Sequence, residues 1–229
     1  MIDVSIVIVN YNTAALTTRC IESIVASEPQ CQFEIILVDN ASTDDSASLL
    51  PLKFPMVRWV QQKSNLGYAI GLNAGAKEAK GKYLVMMNSD TWIKDNILDV
   101  FLEAQSLSNN ENMLFVPILL SELGDFQKNT YAYNASFREL LSYNLVFNYF
   151  FPLPQLTDIK ALNGACLFMS NAAYQKMGGF DEDFFLYSEE FEFCKRFVKN
   201  GGKLGVLESI KVYHENEASS SDKSWNLTQ

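Results

Sequence analysis

A chain of 229 residues with 48% hydrophobic side chains can bury one sizeable core and is short for two, so a single α/β-sized domain is expected. The formal charge of −9 excludes a general nucleic-acid binder, which needs a basic face to displace counterions, and leaves any phosphate ligand to backbone N–H groups or a metal ion. Cys20, Cys31, Cys166 and Cys194 show no CxxC spacing and sit mostly in apolar patterns, which predicts buried free thiols and a reducing cytoplasm. MIDVSIVIVNYN at the start carries no basic leader or cleavage site, and no apolar run reaches the ~20 residues of a bilayer span, so neither export nor insertion is expected.

Val4 to Val9 is a continuous apolar, largely β-branched run ending at Asn10, Tyr11 and Asn12, and a helical pattern follows from about Thr13 to Ala26. Phe33 to Val38 repeats the arrangement, ending in Asp39 and Asn40 before a helix start at Ser42 or Thr43. Val57 to Gln61 is a shorter strand, and Asn65-Leu66-Gly67 leads into a small-residue helix from Tyr68 to Ala79. Tyr83 to Met87 is a fourth strand that runs directly into Asn88, Ser89 and Asp90. Strands this uniformly apolar are buried on both faces, which predicts a mostly parallel central sheet with helices on each side.

The second half is less regular. After the polar SNNENM comes a strand candidate, LFVPILL, and then RELLSYNLVFNYFFPLPQ, which reads equally as a core helix with a turn and as a surface facing an acceptor or a membrane. Ala165 to Met169 is a strand, Asn171 to Met177 a short helix, Ser188 to Asn200 a longer one, and KVYH ends a last strand. The polar stretch Glu215 to Gln229 reads as a disordered tail, leaving residues 1–214 as the folded domain.

In open α/β sheets ligands collect beyond the carboxyl ends of the strands. Asn10, Tyr11, Asn12, Asp39, Asn40, Asn65, Gly67, Asn88 and Asp90 then form one polar rim above an apolar sheet. Each alone is explained as a turn residue. Turn formation does not, however, require the same Asn/Asp choice at four strand ends.

On a helix from Ser188 to Asn200, a rotation of about 100° per residue places Glu190 amid Phe191, Phe193, Cys194, Phe197 and Val198, with Glu189, Glu192, Lys195, Arg196 and Lys199 opposite. A carboxylate on an apolar face is desolvated, which raises its pKa and makes it a better proton acceptor near neutrality. Glu189 reads as solvated. The competing explanation is that Glu190, in the first turn, only complements the helix dipole. His214 is the one histidine. A lone histidine is a poor metal candidate, but together with Asp90 it makes a possible pair.

SIVIVNYN, ILVDNASTD, NLGYAIGLNAGAKEAKG, YLVMMNSDT, NGACLFMSNAAYQKMGGFDEDFFLYSEEFEFCKRF and the terminal VYH, in this order and spacing, resemble the family 2 glycosyltransferases of GT-A fold, in particular their rhamnosyltransferase-like branch. The resemblance implies an inverting transfer from a nucleotide-diphosphate sugar, a UDP- or dTDP-sugar, to a hydroxyl of a saccharide or lipid-linked acceptor in bacterial surface polysaccharide synthesis. It allows peripheral association with the inner face of the plasma membrane. It places Asp39 and the Asn10 to Asn12 segment at the nucleobase and ribose, with Asn40, Asn65, Gly67 and Asn73 lining the same pocket. Asn88-Ser89-Asp90 occupies the place of the family's DxD motif, whose last carboxylate holds Mg²⁺ or Mn²⁺ against the diphosphate, and His214 matches a histidine that completes that site. Gly164 and Ala165 would let the donor sugar approach the backbone. Of the acidic pair Glu189-Glu190, Glu190 falls at the catalytic base.

Two departures stand out: position 88 is Asn, which removes one carboxylate while keeping an oxygen, and position 190 is Glu, one methylene longer than the usual Asp. An oxidoreductase would need GxGxxG after the first strand, where this chain has NYNTAA, and the basic Gly-rich phosphate loop of a nucleotidyltransferase is absent. The remaining alternative is a catalytically degenerate module that binds nucleotide sugars without turnover.

Overall fold

The structure, a computed structural model, describes residues 1–108, 110–133 and 159–215. The aromatic segment at 138–155 and the tail from 216 lie outside these residues. Among the described residues, strands β1 (Val4–Asn10), β2 (Phe33–Asp39), β3 (Arg58–Gln61) and β4 (Tyr83–Asn88) alternate with helices α1 (Ala14–Ala26), α2 (Ser46–Lys53) and α3 (Tyr68–Glu78). There follow β5 (Thr91–Trp92), α4 (Ile97–Leu107), β6 (Met113–Leu120), a hairpin of β7 (Tyr131–Tyr133) with β8 (Ile159–Leu162), β9 (Cys166–Ser170), α5 (Asn171–Met177), α6 (Glu189–Lys199) and β10 (Lys203–His214).

The main sheet has the order β3-β2-β1-β4-β9-β6-β10-β5. Six strands run one way; β9, which pairs antiparallel with both β4 and β6, and the short β5, antiparallel to β10, run the other. The sheet is therefore mostly parallel, as its apolar strands predict. Apolarity reports burial on both faces, though, and not direction: β9 is as fully buried as β1.

Side-chain alternation divides each strand between two cores. Val4, Ile6 and Ile8 of β1 pack with Cys20, Ile21 and Ile24 of α1 and Phe101 of α4, whereas Val7 and Val9 pack with Leu72 and Ala76 of α3 and Phe193 and Phe197 of α6. Phe101 stacks on Phe168 with ring centroids 4.6 Å apart. Helix α3 sits so close to the sheet that a Cβ at Gly75 would meet Val7 Cγ1 at 2.3 Å, so its small residues are what permit the approach. All four cysteines are free thiols, three of them buried.

One boundary and several elements differ from the sequence reading. Ser42 and Thr43 do not begin a helix; α2 starts at Ser46, and Ser42 instead donates to Asp39 through both its backbone N–H (3.0 Å) and its hydroxyl (2.6 Å). The edge strand β5, helix α4 and the β7–β8 hairpin are additions that periodicity did not mark. Among the described residues no helix is long and apolar enough to cross a membrane.

Candidate active site

Parallel register brings the carboxyl ends of β1, β2 and β4 level: Asn10 lies opposite Asp39, and Val9 opposite Asn88. Asn10 is fully buried and uses its whole hydrogen-bonding capacity. Its Nδ2 donates to Asp39 Oδ1 (2.7 Å) and Ser42 Oγ (2.9 Å), and its Oδ1 accepts from Thr13 (3.0 Å) and Thr17 (2.7 Å). Asn10 is therefore the post that holds Asp39, its side chain engaged within the protein. Asp39, itself buried, also accepts from Gln61 Nε2 at 2.7 Å. Asn12, in left-handed conformation (φ 56°), accepts through Oδ1 from the backbone N–H groups of Thr43 (2.7 Å) and Asp44 (3.3 Å), lacing the first loop to the second. Tyr11, between them, is half-buried.

Asn40 Nδ2 donates to the carbonyl of Gly67 (2.9 Å), and Asn65 Oδ1 accepts from the Gly67 N–H (3.0 Å), so the third loop joins the rim. Asn73 does not. Its amide bonds to the Phe180 backbone, Glu182 Oε1 and the Tyr174 hydroxyl, tying α3 to the loop before α6. Ser89 also turns away, its hydroxyl lying 3.1 Å from that of Thr13. A hollow of about 330 Å³ beside this rim is lined by Asn12, Thr13, Leu16, Asp44 and Asp45; its two carboxylates make it a poor seat for a diphosphate.

At the next strand end, the antiparallel β5 sets Thr91 opposite His214. Asp90 Oδ1 thereby lies 3.4 Å from His214 Nε2, with side chains 1% and 7% exposed, and the Asp90 carbonyl accepts from the Glu215 N–H at 3.1 Å. The sequence-separated pair is thus brought together. No cluster of three or more His, Cys, Asp or Glu side chains able to hold a metal occurs among the described residues. Two protein donors, one carboxylate and one imidazole, nevertheless suit a Mg²⁺ or Mn²⁺ ion that takes its other oxygens from a diphosphate. Asn88 Oδ1 accepts from the Tyr68 hydroxyl and keeps a second lone pair, while the same amide carries two N–H donors.

Because β9 is antiparallel, its first residues lie where β4 ends, with Cys166 opposite Met87, and the Asn88 N–H donates to the Ala165 carbonyl (3.0 Å). This puts Gly164 at the same edge. A Cβ built there would touch Glu190 Cβ at 3.5 Å, so the glycine borders the acidic pair.

The helix carrying that pair is rotated from the sequence expectation. Glu189 is 4% exposed and Glu190 half-buried, whereas Phe191 (48%) and Val198 (43%) face outward. The buried stripe is Glu189-Phe193-Phe197 with Cys194. The helix is entered through two consecutive left-handed residues, Tyr187 (φ 68°) and Ser188 (φ 74°), and local strain of this kind concentrates at functional sites. Burial raises the pKa of both carboxyls; the neighbouring Glu190 charge adds to the effect on Glu189, which is pushed up to about 7. Each keeps one buried oxygen, Oε2, with no hydrogen-bond partner among the described residues. Both are built to accept a proton. The Tyr68 phenol is held far above its usual pKa by burial and by the charges of Glu189, Asp90 and Glu190, so it remains a donor amid three carboxylates.

Sequence reasoning missed Tyr68, Gln61, Ser42 and Thr13. The only signal for Tyr68 was its place after Asn65-Leu66-Gly67; Thr13 reaches Asn10 through the local turn into α1, and Ser42 and Gln61 are ordinary loop and strand residues until strand pairing brings them to Asn10 and Asp39.

The family model "Glycosyl transferase family 2" matches residues 5–178. The N-acetylglucosaminyl-diphospho-decaprenol L-rhamnosyltransferase of Mycobacterium tuberculosis is 24% identical over 204 residues, covering 79% of this chain and 66% of its own length. The low-salt glycan biosynthesis hexosyltransferase Agl10 of Haloferax volcanii is 24% identical over 221 residues (93% and 67%), and glycosyltransferase GlyG of Streptococcus pneumoniae 33% over 103 residues (44% and 34%). The chain thus spans from 34% to 67% of the length of these curated relatives. Among solved structures, S. aureus TarS 1-349 superposes with a TM-score of 0.72 at 17% identity, over 96% of this chain and 62% of that one. GalNAc-T7 with UDP, GalNAc and Mn²⁺ superposes with 0.69 at 18%, over 93% and 44%. The fold is the GT-A fold, and the family match extends from β1 to the end of α5. This chain belongs to glycosyl transferase family 2.

Proposed function

We propose that this chain catalyses an inverting transfer of a sugar from a UDP- or dTDP-sugar to a hydroxyl of a saccharide or lipid-linked acceptor in bacterial surface polysaccharide assembly. The observation that carries the reading is the buried pair Glu189-Glu190. Its raised pKa values and unpartnered oxygens sit beside Gly164, at the same sheet edge as Asp90 and His214. Glu190 takes the proton of the acceptor hydroxyl as that oxygen attacks the anomeric carbon, and the bond to the diphosphate breaks with its electron pair leaving on the phosphate oxygen. Attack from the face opposite the diphosphate inverts the centre. Glu189, the more deeply buried, keeps the site's negative charge low by holding its own proton near neutrality.

Asp90 and His214 would hold Mg²⁺ or Mn²⁺, which when bound offsets the charge of the departing diphosphate. Asn88, its amide oriented by the Tyr68 hydroxyl, offers N–H groups to a phosphate or sugar oxygen. Asp39, fixed by Asn10, Ser42 and Gln61, with Asn12 and Asn40 nearby, stands at the nucleoside end. A lipid-linked acceptor is supported by the mycobacterial relative, whose name gives a diphospho-decaprenol acceptor, and a uridine nucleotide by solved relatives bound to UDP-GlcNAc and to UDP with Mn²⁺.

The test is a screen of UDP- and dTDP-sugars for thermal stabilisation with Mn²⁺, followed by transfer assays of Glu190→Gln with the donor that binds. The expected outcome is a loss of about 10²- to 10⁴-fold in rate with donor binding retained. A Glu190→Gln enzyme at full rate would refute the base, and donor binding without turnover in the unaltered chain would favour the degenerate-module alternative.

A further inference from the structure

His214 is gripped from behind by Gln127, a residue of the connection after β6. The carboxamide Nε2 donates to the main-chain carbonyl of His214 at 2.8 Å, and Oε1 lies 3.2 Å from Nδ1 of its ring. A carbonyl oxygen only accepts, so the first contact fixes which end of the carboxamide is the NH₂. The carboxamide oxygen therefore faces the ring. That oxygen too only accepts, so Nδ1 carries a proton; Asp90 Oδ1 on the other side also only accepts, and Nε2 offers its lone pair when a cation lies between the two. Nε2 is the atom that faces Asp90, 3.4 Å from Oδ1, where both side chains are almost wholly buried. Gln127 is itself anchored, its backbone N–H donating to the Leu119 carbonyl at 2.9 Å.

We propose that Gln127 is a positioning residue for a divalent cation: by accepting from Nδ1 and donating to the His214 carbonyl, it fixes the tautomer and ring plane in which Nε2 joins Asp90 as a ligand. The inference rests on reading Asp90 and His214 as the metal pair. The contact ties the end of β10 to the turn after β6, so the imidazole meets the cation already oriented. An outer contact of this type costs about 10- to 100-fold in metal affinity when removed.

Because His214 is the only histidine in the chain, its tautomer can be read without ambiguity. Long-range ¹H–¹⁵N NMR of this chain labelled with ¹⁵N-histidine, at about pH 8.5 with Mg²⁺ and UDP present, should show the Nδ1–H form in the unaltered chain. Gln127→Leu should shift the population toward Nε2–H. In parallel, Mn²⁺ titrations followed by the EPR signal of the free ion, with UDP present, should show Mn²⁺ binding at least about tenfold weaker in Gln127→Leu. Gln127→Glu, which keeps an acceptor at the ring, should restore the Nδ1–H signal. A predominantly Nε2–H imidazole in the unaltered chain, or Gln127→Leu binding Mn²⁺ as tightly, overturns the proposal. Should Asp90→Asn and His214→Ala also leave Mn²⁺ affinity unchanged, the metal pair itself is wrong and the inference falls with it. Loss of Mn²⁺ binding in those two but not in Gln127→Leu removes the inference alone.

Discussion

At position 88 the amide is turned by its neighbour. The Tyr68 hydroxyl gives its hydrogen to Asn88 Oδ1, so removing that hydroxyl frees the amide to rotate and present either end. Tyr68→Phe is expected to lower transfer about tenfold with little change in stability, about 1 kcal/mol, measured by kcat alongside thermal melts. Glu189 allows a second prediction. Its folded pKa, raised from 4.5 to about 7, means that its contribution to stability is fully present below about pH 4.5 and is lost as pH rises through 7. Glu189→Gln removes that loss. The variant should match the unaltered chain near pH 4.5 and exceed it above pH 7, by about 3 kcal/mol at most, as read from denaturant melts at the two pH values.

At the level of elements, the joint between α3 and the loop before α6 holds the two halves of the site together. Gly67 takes φ 102°, and a Cβ there would lie 2.5 Å from the Phe185 carbonyl oxygen, which also accepts from the Tyr68 N–H (2.7 Å). Gly67→Ala should therefore cost at least about 1 to 3 kcal/mol, lower Tm by about 2–4 °C per kcal/mol, and raise hydrogen exchange in residues 180–188. Strands β1, β2, β4, β6 and β9 were legible because burial on both faces demands unbroken apolar runs, and the carboxyl ends of β1, β2 and β4 were legible because Asn and Asp there interrupt those runs. What periodicity could not separate was ligand-facing from scaffold polarity: whether Asn10 or Asn12 is used up depends on Thr13 and Thr17, set by the turn into α1, and on Ser42, which strand pairing brings near. The rotation of α6 escaped for a related reason. A helical wheel assumes that apolar residues point inward, yet the left-handed entry at Tyr187 and Ser188 turns Phe191 outward and buries Glu189.

Across the whole molecule, the site is assembled from strand ends whose residues lie far apart in sequence, from Asn10 on β1 to His214 on β10, in a chain of formal charge −9. The insertion of antiparallel β9 between β4 and β6 carries Gly164 and the neighbouring acidic pair to the edge where Asp90 and the polar rim already stand. A nucleoside diphosphate alone brings negative charge to three carboxylates. A cation alone finds, among the described residues, the carboxylate of Asp90 and the imidazole of His214 as protein donors. Each ligand thus supplies what the other lacks, and their binding should be strongly cooperative. Thermal melts with UDP, Mn²⁺, both or neither should show stabilisation by the pair well beyond the sum of the single effects, reaching about 2.7 kcal/mol when UDP stands at a hundredfold over its Kd. Asp90→Asn should abolish the excess while leaving the small effect of UDP alone, since the Asp39 end of the rim is untouched. Strictly additive stabilisation in the unaltered chain would mean that diphosphate and cation do not meet at Asp90.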